Sequence, residues 1–416
     1  MTARRGLSIV ALALAAALPP AARAVIGTPD ATPAATLLLP YFESNPAAPN
    51  GASTVFRVAN ASAAPALAHV TLWTDLGVPS FAFDVYLAGR DVVDIDLRLV
   101  LSGILPQTGP TLTNPGNFSG PPTEFPGCET LLAQARLSAE TVQALRNAHT
   151  GLASSLWGGQ CGGRAVGDGV ARGYATVDVV NRCSVKFPGD PAAGADPAYF
   201  VAGGTGIAGN ANVLWGEFWH LERDQSFAYG AALAAVEADA ADPLTDGAGD
   251  YTFYGRRLAA SGADNRERLP GTWRGRFLNG GVFDATHALV WRDPGLVLPF
   301  ACGAPPPKLQ QLDVTPVDEE ETVEDLTDGF PIGFQTRVPF AAERIDTSDP
   351  ARLPMSFDFG FLHLGLDFPA SVVDPLFAGR NQAHATFVFR ANGRFAGAVT
   401  GYSLPDTLSF PFFPVP

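Results

Sequence analysis

The stretch Thr54–Leu87, TVFRVANASAAPALAHVTLWTDLGVPSFAFDVYL, constrains the fold more than any other part of the chain. It holds three short apolar runs, 54–59, 66–74 and 81–87, separated by turn-rich breaks at 60–65 and 75–80. β-Branched and aromatic residues fill the runs, and Asn, Ser, Pro and Gly fill the breaks, as consecutive antiparallel strands require. In the next segment, DVVDIDLRLVL (91–101), Val93, Ile95, Leu97 and Leu99 alternate with Asp94, Asp96 and Arg98. A period of two marks a strand with one dry and one wet face. An earlier run at 36–43 is interrupted by Pro40, which predicts an edge strand. Short strands at this density predict a mainly β fold whose first unit, residues 25–102, is an immunoglobulin-like antiparallel β-sandwich.

Residues 1–24 read as a processing segment. Arg4 and Arg5 precede an apolar run from Gly6 to Leu18, and Ala22-Arg23-Ala24 supplies the small-x-small pattern of a signal peptidase site. The run falls short of the ~20 residues that span a bilayer, so no membrane span is expected once the signal is removed, and the mature chain is expected to begin at Val25. The formal net charge is −14, and the segment removed carries three arginines and no acid. Like-charge repulsion on that scale argues against nucleic acid or anionic lipid as partner. At 47% hydrophobic the chain has material for a sizeable core, which excludes a wholly disordered protein.

The four cysteines, Cys128, Cys161, Cys183 and Cys302, are an even set in an exported chain and predict two disulfides. The pairing expected is Cys128–Cys161, stapling an insert, with Cys183–Cys302 crossing the later domain. That insert, residues 103–170, is rich in Pro and Gly and carries one helical pattern. Ser138 is a good N-cap, Glu140 lies in the first turn, and Gly151 is placed to end the helix. Strand patterns return at 173–181 and 212–222, and 226–239 is Ala-rich enough to read either way. Later strand candidates lie at 272–278, 288–291, 309–314, 356–368 and 383–395, so residues 171–416 are expected to form a second, larger sandwich.

An internal repeat links the two units. His69, Trp73, Asp75 and Gly77 in the first recur as His287, Trp291, Asp293 and Gly295 in the second, both H-x-x-x-W-x-D-x-G. Each copy follows a strand pattern ending in Asn, at Asn60 and Asn279. Duplication of a sandwich unit explains this without chemistry. Each Trp would centre a core, each Asp would cap a turn, and each Gly would supply that turn's backbone freedom.

Motifs that would carry chemistry are weak. Gly204-Thr-Gly206-Ile-Ala-Gly209 matches a dinucleotide-binding string, but the residues after it read as turn and strand where a helix is needed, so a hairpin loop is expected. Asp239, Asp242, Asp246 and Asp250 are spaced to wrap a calcium ion, without the order of an EF-hand. The run Asp318-Glu319-Glu320-Glu321 reads as solvated surface. No G-x-S-x-G elbow exists, and the six histidines are scattered, so no catalytic residue is named.

At TVFRVANAS, LAHVTLWTDLGVP and FDVYL, and again at GYATVDVVN and NVLWGEFW, the chain resembles a group of exported, β-rich bacterial proteins. The resemblance implies export and a β fold, and it carries no activity, cofactor or site residue. The sequence therefore predicts a secreted or periplasmic, non-catalytic protein with a structural, adhesive or partner-binding role toward a protein or glycan. A secreted hydrolase of glycans or esters, and a calcium-dependent carbohydrate-binding module, are the alternatives. No cofactor is expected beyond that calcium.

Overall fold

The computed structural model describes residues 32–48, 50–106, 125–128, 136–189, 198–223, 227–238, 252–258, 264–309, 313–320, 322–324, 338–367, 381–391, 394–400 and 402–403. The chain is mainly β, with antiparallel sheets, and among the described residues it has one short helix beyond a single α-helical turn and a 3-10 turn at Ser155–Trp157. Its first strands are β1 (Thr36–Ser44), β2 (Ser53–Asn60), β3 (Ala66–Thr74), β4 (Pro79–Leu87) and β5 (Val92–Asp96). The turn α1 (Leu97–Val100) and helix α2 (Ala139–Thr150) follow, then β6 (Ala171–Val180), β7 (Leu214–Glu222), β8 (Phe227–Ala232) and β9 (Ala234–Val236). The later strands are β10 (Thr272–Leu278), β11 (Phe283–Arg292), β12 (Asp313–Val317), β13 (Ala342–Asp346), β14 (Phe359–Gly365), β15 (Ala383–Ala391), β16 (Arg394–Thr400) and β17 (Tyr402–Ser403).

These strands make four sheets, ordered β4-β3-β6-β1-β9, β5-β2-β7-β8, β13-β11-β15-β16 and β12-β14-β10-β17. The expected break at residue 171 is corrected by the pairing. β6 lies between β3 and β1, with His69 opposite Asp178 and Leu37 opposite Val177, and β7 pairs along the whole of β2. The strands of 171–236 thus complete the sheets begun by 36–96, and the later sheets draw their strands from residue 272 onward. β1 is no edge strand either, because β6 and β9 flank it. Pro40 sits where the β1–β6 register shifts between Leu39 and Phe42, a bulge at which its missing N–H costs no ladder bond. The ambiguous 226–239 segment forms strands β8 and β9.

Two large cores result. The first gathers Leu37, Leu39, Phe42, Phe56, Val58, Leu72, Trp73, Ile95, Tyr174 and Phe218 from two sheets, and it extends to Leu289, Trp291 and Val388 of the later strands. The second forms around Trp273, Phe277, Leu362, Leu364 and Phe387. Full burial of each such side chain stabilises the fold by about 1.5–3 kcal/mol. Trp73 and Trp291 therefore share one core, and the indole at the heart of the second core is Trp273, which corrects the expected one-Trp-per-core plan.

The insert helix follows its sequence signals. Ser138 Oγ accepts from Thr141 N, and Gly151 closes α2 with φ +75°. A Cβ at Gly151 would stand 2.2 Å from Ala165 N, so the close approach also needs glycine. The disulfides differ from the pairing expected, being Cys128–Cys183 and Cys161–Cys302. The first ties the insert to the segment leaving β6. The second ties it to the loop after β11, where Cys161 and Phe300 also exchange backbone hydrogen bonds of 2.9 Å. Proximity in sequence misled because strand pairing brings distant segments closer than near ones.

Candidate functional site

A cleft of about 580 Å³ opens where the end of β1, the β1–β2 turn, the start of β6 and the end of β7 meet. Glu43, Asp168, Arg172, Glu222 and Arg344 line it, with Asn45 and Asn50 at the turn. Arg344, from β13, reaches across to place Nη1 2.6 Å from Glu43 Oε1 and 3.7 Å from Glu222 Oε1. Burial works against the Arg344 cation, but Glu43, Tyr41, Tyr229 and Glu222 outweigh it and hold the proton more firmly. Arg172 pairs with Asp168 at 2.5 Å. Beneath this layer the Tyr41 hydroxyl donates to Glu43 Oε2 at 3.1 Å, and burial, aided by Glu43, pushes its pKa well up. The His220 ring stacks on Tyr229 at 4.8 Å and on Tyr41 at 5.9 Å, and its Nδ1 meets Thr54 Oγ1 at 3.0 Å. Burial and the Arg344 charge push this imidazole down to about 3, so it is neutral at ordinary pH.

The other buried histidines are committed to architecture. His69 faces Asp84 through Nδ1 at 2.7 Å and the Lys186 carbonyl through Nε2 at 2.9 Å. A carbonyl only accepts, and a carboxylate accepts, so both nitrogens donate and the ring is an imidazolium. Burial disfavours that cation, yet Asp84 and Asp178 overcome it and the pKa rises. Such a ring has no lone pair with which to act as a base. His149 donates Nδ1–H to the Arg172 carbonyl at 2.9 Å and meets the Ser80 hydroxyl at 2.7 Å, and burial pushes its pKa down. His384 lies edge-on to Trp273 at 4.8 Å, and burial pushes it down to about 3.

The repeat residues come together. Trp73 stacks on Tyr174 with centroids 5.7 Å apart, and Trp291 meets the same Tyr174 edge-on at 6.0 Å. The two turns also touch, since a Cβ on Gly77 would lie 2.3 Å from Pro294 Cγ. Asp293 caps its own turn by accepting from Gly295 N at 2.8 Å. Asp75 does not, which corrects the expectation for the first copy. Its carboxylate takes Arg164 N and Nε, at 3.0 and 2.5 Å, and the turn is closed by Thr74 instead.

No family model, curated protein or solved structure matches the chain.

The calcium candidates Asp239, Asp242, Asp246 and Asp250 lie outside the described residues. Among the described residues, no group of three or more His, Cys, Asp or Glu is placed to hold a metal ion. The Gly204–Gly209 string forms a turn whose carbonyls at Gly204 and Gly206 are gathered by Asn181 Nδ2, but β6 and β7 on either side of it lie in different sheets, so it is a sheet-to-sheet connection and not the hairpin loop expected. Sequence reasoning missed the cleft entirely. Its charged residues come from four separate segments, at 43, 168–172, 222 and 344, and only the packing of the sheets that hold β1, β6, β7 and β13 brings them together.

Proposed function

We propose that the chain is an exported, non-catalytic binding protein built of β-sandwich units, acting in the periplasm or outside the cell. The observation that carries this reading is how the buried acid–base groups are spent. His69 is locked as an imidazolium between Asp84 and a carbonyl, His149 is bonded at both nitrogens, and the cleft carboxylates Glu43 and Glu222 converge on one guanidinium. The buried histidines serve the fold, the cleft groups are left to meet a polar partner, and neither set has much left with which to move protons during turnover. Two disulfides suit an oxidising compartment, and among the described residues no helix is long and apolar enough to cross a membrane. The sequence reading of residues 1–24 as a signal belongs with these.

The test is twofold. Protein recovered from its native host should have a mature N-terminus at Val25 and give non-reducing peptides linking Cys128 to Cys183 and Cys161 to Cys302. Incubated with chromogenic glycosides and esters, it should release no product above background. Turnover that disappears in both Glu43→Gln and His220→Ala would overturn the reading.

A further inference from the structure

Strand β7 alternates without a break. Leu214, Gly216, Phe218, His220 and Glu222 point into the protein, while Trp215, Glu217, Trp219 and Leu221 point out and stay partly exposed. Residues paired directly across an antiparallel sheet share a face, so the register defines what surrounds them. Trp215 lies beside Ala59, and Trp219 lies between Val55 and Gly230. Between the indoles runs a charged row, in which Glu217 is opposite Arg57 and Arg57 is opposite Asp94. Arg57 binds Asp94 in a fork, Nε to Oδ1 at 2.7 Å and Nη2 to Oδ2 at 3.1 Å, and reaches Glu217 Oε1 at 3.3 Å. Its guanidinium also lies 5.1 Å from the Trp219 ring centroid.

Three points set this face apart from an ordinary wet side of a sheet. Four residues of extended strand separate the indoles by about 13 Å, so both can engage one extended ligand. Neighbouring β8 presents Ala228, Gly230 and Ala232, none tall enough to cover an indole. A Cβ on Gly230 would stand 2.7 Å from Trp219 Cδ1, so glycine there lets the ring lie flat against the strand. The polar row is reachable, with 35% of the Arg57 side chain, 54% of Asp94 and 32% of Glu217 exposed.

Flat aromatic surface combined with fixed, reachable hydrogen-bonding groups matches a ligand that has apolar C–H faces and hydroxyl edges. Single-stranded nucleic acid also stacks on aromatics, but it needs a positive groove. Here Asp94, Asp96 and Glu217 outnumber Arg57 and Arg223, on a chain of net charge −14, which repels anionic polymers. We propose that this face binds a neutral oligosaccharide, with Trp215 and Trp219 each stacking on a sugar ring and the Asp94–Arg57–Glu217 row bonding the hydroxyls between. The site names a ligand class for the non-catalytic binding reading and requires no metal.

The experiment is calorimetric titration of the full mature protein with cello-, xylo-, manno- and malto-hexaose, with the sugar recovered afterwards. At least one should bind and quench Trp fluorescence. Trp215→Ala and Trp219→Ala should each weaken it about tenfold, equivalent to about 1.4 kcal/mol, with unchanged thermal midpoints because both rings lie on the outer face. Glu217→Gln, which keeps the shape, should weaken it less. No binding to any of the four, or binding unaltered in both Trp variants, overturns the site and leaves the non-catalytic reading standing. Should the Trp variants instead convert a dimer to monomer in ultracentrifugation, the face is a self-contact and the glycan assignment is wrong. Cleavage of a sugar that still needs both indoles would keep the site and overturn the non-catalytic reading.

Discussion

The two H-x-x-x-W-x-D-x-G copies share a sequence pattern, a strand-to-turn geometry and one aromatic neighbour, yet they use their polar residues differently. In the first, every polar group is drawn inward. Trp73 Nε1 donates to Thr176 Oγ1 at 2.9 Å, the Arg257 guanidinium lies 4.1 Å over the same indole, and Asp75 anchors Arg164, which in turn reaches Glu343 at 3.1 Å. In the second, the aspartate caps its own turn as well as meeting distant groups. Asp293 serves its own turn and Gln382, and His287 meets Asp346, itself 46% exposed, at 3.7 Å. Trp291 is held chiefly by Phe253, 5.4 Å away. Both copies tie in distant segments, the first through a buried Asp75–Arg164 pair and the second through Gln382 and its own turn cap, so a shared motif fixes the turn and leaves its partners open.

That contrast can be broken by mutation. Trp73→Ala should cost about 3–5 kcal/mol in denaturant unfolding. The sharper comparison is the pair of Phe substitutions. Trp73→Phe loses a hydrogen bond and a cation–π contact and should exceed Trp291→Phe by about 1 kcal/mol. Equal costs would mean that the hydrogen bond and the cation–π contact of Trp73 contribute nothing.

Next in size is the aspartate pair. Asp75→Asn removes a buried charge from Arg164 and should cost about 3 kcal/mol, at the low end for such pairs because Glu343 remains. Asp293→Asn keeps an oxygen for Gly295 N but turns its amide N–H toward Gln382 Nε2, and should cost about 1–2 kcal/mol. The order of the two urea midpoints is the readout.

The glycines follow. Both have positive φ, +89° at Gly77 and +66° at Gly295, so alanine strains either turn. Gly77→Ala additionally drives a methyl into Pro294 and should cost about 2–3 kcal/mol. Gly295→Ala meets only the guanidinium of Arg256, at 3.0 Å, and should cost about 1–2 kcal/mol.

The histidines give the subtlest difference, and one of opposite sign. The folded chain binds the His69 proton more tightly than the unfolded chain does. Its contribution is complete below the unfolded value of about 6.5 and fades as pH rises through the raised folded pKa. His287 is the reverse, since burial and then Arg344 push it down to about 4. Its contribution is present above about 6.5 and is lost as pH falls toward 4. His69→Gln should flatten the alkaline side of the stability profile and His287→Gln the acid side. A swap of those two effects would falsify the assignment.

How much of this was legible in the sequence follows from the range of each signal. Strands β2 to β4 and helix α2 were readable because alternation, turn residues and caps act within a few positions, as at Ser138 and Gly151, whereas the strand expected over 91–101 stops at Asp96, whose side chain caps the helical turn Leu97–Val100. The pairing of β1 with β6, and of β2 with β7, was not. Periodicity says which face a residue occupies and nothing about which strand lies beside it. The misassigned disulfides and the misplaced boundary at 171 both descend from that gap. Trp215, Glu217 and Trp219 share one parity in NVLWGEFWHLE, so their common face was available from the sequence. That this face is the outer one emerges only when Phe218 is seen in the core opposite Phe56.

Tyr174 has a thermodynamic consequence of its own. Because one phenol ring is wall to both Trp73 and Trp291, the first core is closed only with side chains of the later strands, whereas the core around Trp273 is drawn from the later strands alone. Dependence therefore runs one way: in a chain cut between β9 and β10, the earlier fragment should lose its cooperative melt when the later one is removed, and regain it on mixing.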